Sequence, residues 1–275
     1  MKPLPLALAA VLVTAAPVVA QEPGWKAGFA AEKITPTAPM WMSGYAARTA
    51  PAEGTETDLW AKAAVLRAAD GTTFCLVTLD LVGINRDTSL ALVKAITDKH
   101  KLPRAAVSLA VSHTHCGPVV GKNLRAMYFL DAAHGKLVDD YTDALPAKVL
   151  KAVDAAFAAL APVTLTSGVG TAGFAVNRRE NKEGDVPALR TKGELKGPTD
   201  HAVPVLAARD AAGKLKGVVF GYACHATTLA YQKWCGDYPG FATIELERAN
   251  PGGLPQRYRH APPPTPGVPG QRRGR

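Results

Sequence analysis

The residues best suited to do chemistry in this chain are histidines. One stretch reads Val111-Ser112-His113-Thr114-His115-Cys116-Gly117-Pro118, at the end of an apolar run. In an extended strand, positions i and i+2 point to the same face. His113 and His115 are therefore expected to project together from a strand's C-terminal edge, where α/β proteins build their sites. Two neutral imidazoles on one face are a natural start to a zinc site. Spacing alone leaves the other reading open, in which both are polar strand-end residues bonded to backbone. A second stretch, Tyr222-Ala223-Cys224-His225-Ala226-Thr227-Thr228, also runs an apolar segment into a histidine. If the two strands belong to one parallel sheet, His225 arrives on the edge that carries His113. Between them, in Asn177-Arg178-Arg179-Glu180-Asn181, Arg178 is either a cation for a carboxylate, phosphate or developing oxyanion or part of a solvated charged loop. Asp237 is either a helix N-cap or a carboxylate that orients a ligand. Cys116 follows a strand, as nucleophiles often do.

Positioning these residues requires alternating strands and helices, and the sequence supplies the pattern. Lys26 to Ile34 reads as a first strand, stopped by Thr35-Pro36. Leu59 to Ala68 and Thr72 to Val82 are apolar runs joined by Asp70-Gly71, a hairpin signal. Asp87 to Lys101 has helical periodicity, and Ala105 to Ser112 reads as a buried strand. A long helix is expected from about Lys136 to Leu160, kinked or split at Pro146. Val163 to Val169, Val203 to Ala208 and Lys216 to Cys224 are further strands, and a helix starts at Asp237-Tyr238-Pro239 and runs to about Ala249. The expected class is α/β, with mixed, largely buried β-sheets flanked by helices and site residues at strand C-terminal ends.

Composition narrows the function. With 275 residues, 47% hydrophobic and 20% charged, the chain has material for a substantial core, and collagen, coiled coil and wholesale disorder are excluded. Of the net charge of +9, six charges belong to the ends: residues 251–275 hold five Arg and no acid, and Lys2 adds another. The charge therefore gives no reason to expect a nucleic-acid partner. Residues 1–20 read as a secretory signal peptide, with Lys2 as positive region, an apolar stretch from Leu6 to Ala16 and Val18-Val19-Ala20 as cleavage site. Export, to a periplasmic or extracellular destination, permits disulfides. Of the four cysteines, Cys75 lies in an apolar strand, and Cys224 and Cys235 are close enough in sequence for a short bridged loop. The segment 251–275 has seven Pro and five Gly, with only Leu254, Tyr258 and Val268 as large apolar residues, and is expected to be disordered. Its Pro/Gly/Arg/Ala text is what a GC-rich gene yields out of frame, and a natural reading frame lost near Gly253 is the expectation that follows.

Taken in order, several stretches resemble the neutral/alkaline (non-lysosomal) ceramidase family, N-terminal catalytic domain. They are Ala27-Gly28 through Ile34-Thr35-Pro36; Met42-Ser43-Gly44-Tyr45; Leu79-Asp80-Leu81-Val82-Gly83; Ser112 to Pro118; Asn177-Arg178; Cys224-His225-Ala226-Thr227; and Asp237-Tyr238-Pro239-Gly240. The resemblance implies a zinc-dependent amide hydrolase over residues 21–250, cleaving an N-acyl lipid or another small amide to a fatty acid and an amino alcohol. It implies His113 and His225 as zinc ligands, His115 beside the reacting amide and Arg178 near the substrate head group. The bare spacing would instead make both His113 and His115 ligands. A lipid substrate brings with it peripheral contact at a membrane surface. The family completes its zinc site with a Glu and a Tyr further downstream, and its strand after the Asp-Tyr-Pro-Gly helix has no evident counterpart before the Pro/Gly/Arg tail. Two further readings follow: a truncated, non-catalytic relative of such an enzyme, or a hydrolase that uses Cys116 as nucleophile.

Overall fold

The computed structural model describes residues 24–258. The expected signal peptide, 1–20, and everything beyond Tyr258 lie outside the described residues. No described helix is long and apolar enough to cross a membrane.

The first half of the fold is built on local signals. β1 (Trp25–Lys33) pairs antiparallel with β2 (Trp60–Arg67), which forms a hairpin with β3 (Thr73–Leu79). The hairpin turns at Asp70-Gly71, where Gly71 takes φ +87° and the Asp70 carboxylate accepts from Thr72 N at 2.8 Å. α1 (Arg86–His100) buries Leu92, Val93 and Ile96 and stops at Lys101 in the left-handed region. It returns the chain to β4 (Val107–Val111), which pairs parallel with β3. α2 (Ala132–Ala158) is capped by Asp131, whose side chain accepts from His134 N, and runs through Pro146 as one helix rather than splitting. Its apolar stripe, including Val138, Leu145, Val149 and Val153, joins Val65, Val77, Leu79 and Ile96 in the main core. Each such fully buried aliphatic side chain is worth roughly 2 kcal/mol.

α2 can lie this close to the sheet because Gly28 has no side chain. A Cβ there would fall 1.9 Å from the Ala156 carbonyl oxygen and 2.9 Å from Leu160 N, both main-chain atoms.

The second half comprises β5 (Ala161–Thr171), a short α3 (Val186–Lys192), β6 (Ala202–Arg209), β7 (Leu215–Gly221), α4 (Asp237–Ala249) and β8 (Leu254–Tyr258). The sheet order is β4-β3-β2-β1-β5-β6-β7-β8. β1 and β5 share only the ladder Trp25–Ala27 with Val163–Ala161, so the sheet bends there. The halves fold face to face: the Phe29 ring lies against Gly217, and Ala27, Phe29, Ala64 and Leu76 pack with Val163, Leu165 and Ala208.

The α/β class and its mixed sheet are as the sequence indicates, and three details differ. The pairings run β4 and β7 in opposite senses along the ladder, so the bend, not a shared parallel edge, brings their ends together. α3 went unforeseen within a polar stretch. Residues 254–258, inside the segment expected to be disordered, form β8, parallel to β7 from Gly217↔Leu254 to Gly221↔Tyr258. The strand after α4 is therefore present. Composition averaged over a Pro-rich segment hides it, because main-chain bonding to the β7 edge asks little of the side chains.

Candidate metal centre

Three histidines meet where the bent sheet closes. One ring nitrogen each from His113, His115 and His225 lie within 4.8 Å of one another. The ring centroids are 5.0 Å apart for His113 and His115, 4.7 Å for His113 and His225, and 5.0 Å for His115 and His225. The structure thus unites the histidines that the sequence singles out, by a different local route. β4 ends at Val111, and His113 takes φ +61°, a conformation in which histidine is among the enriched non-glycine residues. His115 follows in a turn. The pair converges through this turn, not through strand alternation.

The outer nitrogens of the three rings differ, and the difference assigns roles. His113 Nδ1 lies 2.5 Å from the Val82 carbonyl oxygen, which can only accept. Nδ1 therefore donates and Nε2 keeps its lone pair for a metal. His225 Nδ1 lies 2.8 Å from Thr227 Oγ1, which can accept in the same way. Such acceptors behind a ring are the usual support of a metal-binding histidine. His115 has none: its Nδ1 is buried without a hydrogen-bond partner, and its Nε2 lies 3.4 Å from His113 Nε2. The donor chemistry therefore fits a divalent ion such as zinc on His113 and His225. His115 is better suited to carry its one proton on Nε2, facing the site centre. Burial, and then the neighbouring His113 and Arg48, push its pKa down to about 4, so the ring is neutral.

Arg178 Nη1 lies 3.1 Å from the same His225 Nδ1. A guanidinium only donates, so Arg178 and Thr227 compete for that nitrogen. Nε2 of His225 is available to a metal only when Nδ1 donates to Thr227, which releases Arg178. Arg178 also lines a cavity of about 240 Å³ with Asn177, Asp200, Cys224 and His225.

The framework that holds His115 was not evident from spacing. Gly44, at φ +109°, sits so close that a Cβ would lie 2.4 Å from His115 Cγ. The Tyr45 ring meets His115 edge-on at 4.7 Å. Arg48 donates to the His115 carbonyl at 2.8 Å, the Tyr231 carbonyl at 3.2 Å and Gln232 Oε1 at 2.8 Å, tying three chain segments together. Met42 to Tyr45 belongs to a family-like motif, but Arg48 carries no signal of its own. Asp237 is not the N-cap: Gly236 is, and Asp237 is the first helical residue at φ +54°. Its fully buried carboxylate accepts from Thr228 N, Thr228 Oγ1, Leu229 N and Tyr238 N, fixing the segment just after His225.

Cys116 is fully buried, with its thiol 3.6 Å from the Tyr231 carbonyl oxygen. Burial pushes its pKa up to about 11, which keeps it protonated and unreactive at neutral pH. This environment speaks against a nucleophilic role.

Comparison with known proteins gives the family. A search of curated proteins returned no match. Among solved structures, a neutral ceramidase from Pseudomonas aeruginosa superposes with a TM-score of 0.69 at 25% identity, over 87% of this chain and 39% of that one. A structure described as ceramidase complexed with C2 has a TM-score of 0.68 at 23% identity, over 86% of this chain and 38% of that one, a likeness of fold. The chain thus spans about two fifths of the length of these structures. The family model "Neutral/alkaline non-lysosomal ceramidase, N-terminal" matches residues 25–259. With that match over most of its length, and its histidines gathered at the closure of the sheet, the chain belongs to the neutral/alkaline non-lysosomal ceramidase family.

Proposed function

We propose that the chain is an exported, zinc-dependent amide hydrolase that cleaves an N-acyl lipid to a fatty acid and an amino alcohol. The observation that carries this reading is the asymmetry among the three rings: acceptors stand behind His113 and His225, and none stands behind His115. A zinc ion at such a site supplies a Lewis acid that acidifies water and polarises an amide carbonyl. His113 and His225 would hold the ion. His115, neutral and donating from Nε2, stabilises negative charge that develops on the carbonyl oxygen. Arg178, released once His225 Nδ1 turns to Thr227, reaches the substrate's polar group from the rim of the adjoining cavity. Peripheral contact with a membrane surface would deliver such a substrate.

The test is elemental analysis of the purified chain. Near-stoichiometric zinc is expected, falling to background in both His113→Ala and His225→Ala, with His115→Ala retaining most of it. Absence of zinc from a folded wild-type chain would sink the hydrolase reading and leave the non-catalytic relative. Loss in His115→Ala equal to the other two would make His115 a ligand.

Arg48 provides a second check. Arg48 holds His115, which is not a proposed ligand. Arg48→Ala is therefore expected to leave zinc content near that of wild type and to lower amide-hydrolysing activity about tenfold or more, on the order of losing the support behind a site residue. Arg48→Lys, which can replace only some of the bonds, should fall between. Metal content and turnover measured on the same preparations read the two effects, and wild-type turnover in both variants would reduce Arg48 to a packing residue.

A further inference from the structure

Two buried cysteines beside the centre are not used by the proposed chemistry. Cys116 follows His115 directly, and Cys235 lies two residues before Asp237. Both are fully buried, and both carry thiols in the structure. Although 119 positions apart in sequence, they are joined by a main-chain bond: Cys235 N donates to the Cys116 carbonyl at 3.1 Å. Such a bond holds two Cα atoms at about 5–6 Å, inside the range of roughly 4.4–6.8 Å that a disulfide spans. The Thr114 hydroxyl strengthens the junction, donating to the Cys235 carbonyl at 2.7 Å and accepting from Cys116 N at 3.1 Å.

Neighbouring polar groups place both thiols, Thr57 beside Cys235 among them. Cys116 Sγ lies 3.6 Å from the Tyr231 carbonyl oxygen and 3.9 Å from that of Leu229. Cys235 Sγ accepts from the main-chain N–H of Asp237, and the Asp237 carboxylate in turn takes Leu229 N. After burial, Cys235 has the largest influence on the Cys116 thiol. Cys75 lies in β3 within the main core, and the Cys224 thiol lies 3.7 Å from the His225 carbonyl oxygen.

We propose that Cys116 and Cys235 form a disulfide when the chain folds in an oxidising compartment, locking the histidine turn to the start of α4. The oxidant is a disulfide reagent, such as glutathione disulfide or a protein disulfide carrier. One cysteine thiolate attacks it, forming a mixed disulfide and expelling one reduced thiol. The second cysteine attacks the mixed disulfide, closes the Cys116–Cys235 bond and expels the second. The cysteines lose two electrons to the reagent, and their two protons are taken up by the expelled thiolates. The exchange takes place before the 229–237 segment packs, because burial later protonates and shields both thiols. The pairing is independent of the hydrolase reading, since it concerns covalent structure and not metal content.

The experiment is to refold the full chain in a glutathione redox couple, block remaining thiols with an alkylating reagent and map unreduced peptides by mass spectrometry. The expected result is one linked peptide pair carrying Cys116 and Cys235, lighter by two hydrogens than its parts, with Cys75 and Cys224 alkylated. A reductant should then lower the thermal midpoint by roughly 5–15 °C, and Cys116→Ser or Cys235→Ser should abolish that sensitivity while Cys224→Ser preserves it. Alkylation of both Cys116 and Cys235, a Cys224–Cys235 link, or a reductant effect that persists in Cys116→Ser would overturn the assignment. Zinc analysis of the same preparation reports separately on the hydrolase reading.

Discussion

Gly28→Ala is expected to destabilise the chain by about 3 kcal/mol or more, enough to leave much of it unfolded or insoluble. Inserting one methyl group into a packed core ordinarily costs about 1–3 kcal/mol, because neighbours shift. Here the neighbours cannot shift alone. The new carbon would meet the Ala156 carbonyl oxygen at 1.9 Å, Leu160 N at 2.9 Å and the Ala159 carbonyl carbon at 3.0 Å, all main chain. The end of α2 would have to lift from β1, and with it the apolar stripe that fills the main core. Gly168→Ala, in β5, is the control: nothing lies within 4 Å of its added carbon, so it should be neutral or slightly stabilising. Urea denaturation of both variants decides the matter, and a Gly28→Ala midpoint close to wild type would show that the contact is soft.

The second large effect is expected at Asp237, where two causes can be separated by choice of residue. Its carboxylate satisfies four donors while fully buried. Its φ of +54° adds a backbone cost of about 1 kcal/mol that glycine would not bear. Asp237→Ala removes the acceptors and keeps the strain, and should cost about 3–5 kcal/mol. Asp237→Gly loses the acceptors but relieves the strain. Asp237→Asn retains one acceptor oxygen and a side chain that tolerates the left-handed region. The expected stability order is wild type, Asn, Gly, Ala. Chemical denaturation gives the ranking: Ala equal to Gly removes the strain argument, and Asn equal to Ala removes the acceptor argument.

Much of this was legible in sequence because the signals are local. The Asp70-Gly71 hairpin, the periodicity of α1 and the Asp-Tyr-Pro start of α4 each depend on residues a few positions apart. His113, His115 and His225 could be chosen because a histidine at the end of an apolar run is conspicuous. Their convergence was anticipated on a premise that fails, since neither strand alternation nor a parallel edge unites them. What does unite them is a left-handed His113 and a sheet bent at a three-residue ladder. Neither leaves a mark in composition. Arg48 was invisible for the same reason: its partners lie at 115, 231 and 232, and arginine is common on any surface. The tyrosine, glycine and threonine around the centre were present in quoted motifs, but their function depends on which ring each one touches.

The narrow β1–β5 ladder also bears on the order in which the molecule assembles. Strands β2 to β4 are joined by a hairpin and by α1, both early-closing by sequence separation. The histidine cluster needs His225, more than a hundred residues after His113, and therefore waits for a long loop closure. A partly folded molecule can thus own the packing around β2 to β4 before its three histidines meet. On the proposed metal role, ion uptake would come late in folding, and a protease that acts before closure would meet a chain whose histidines are still far apart.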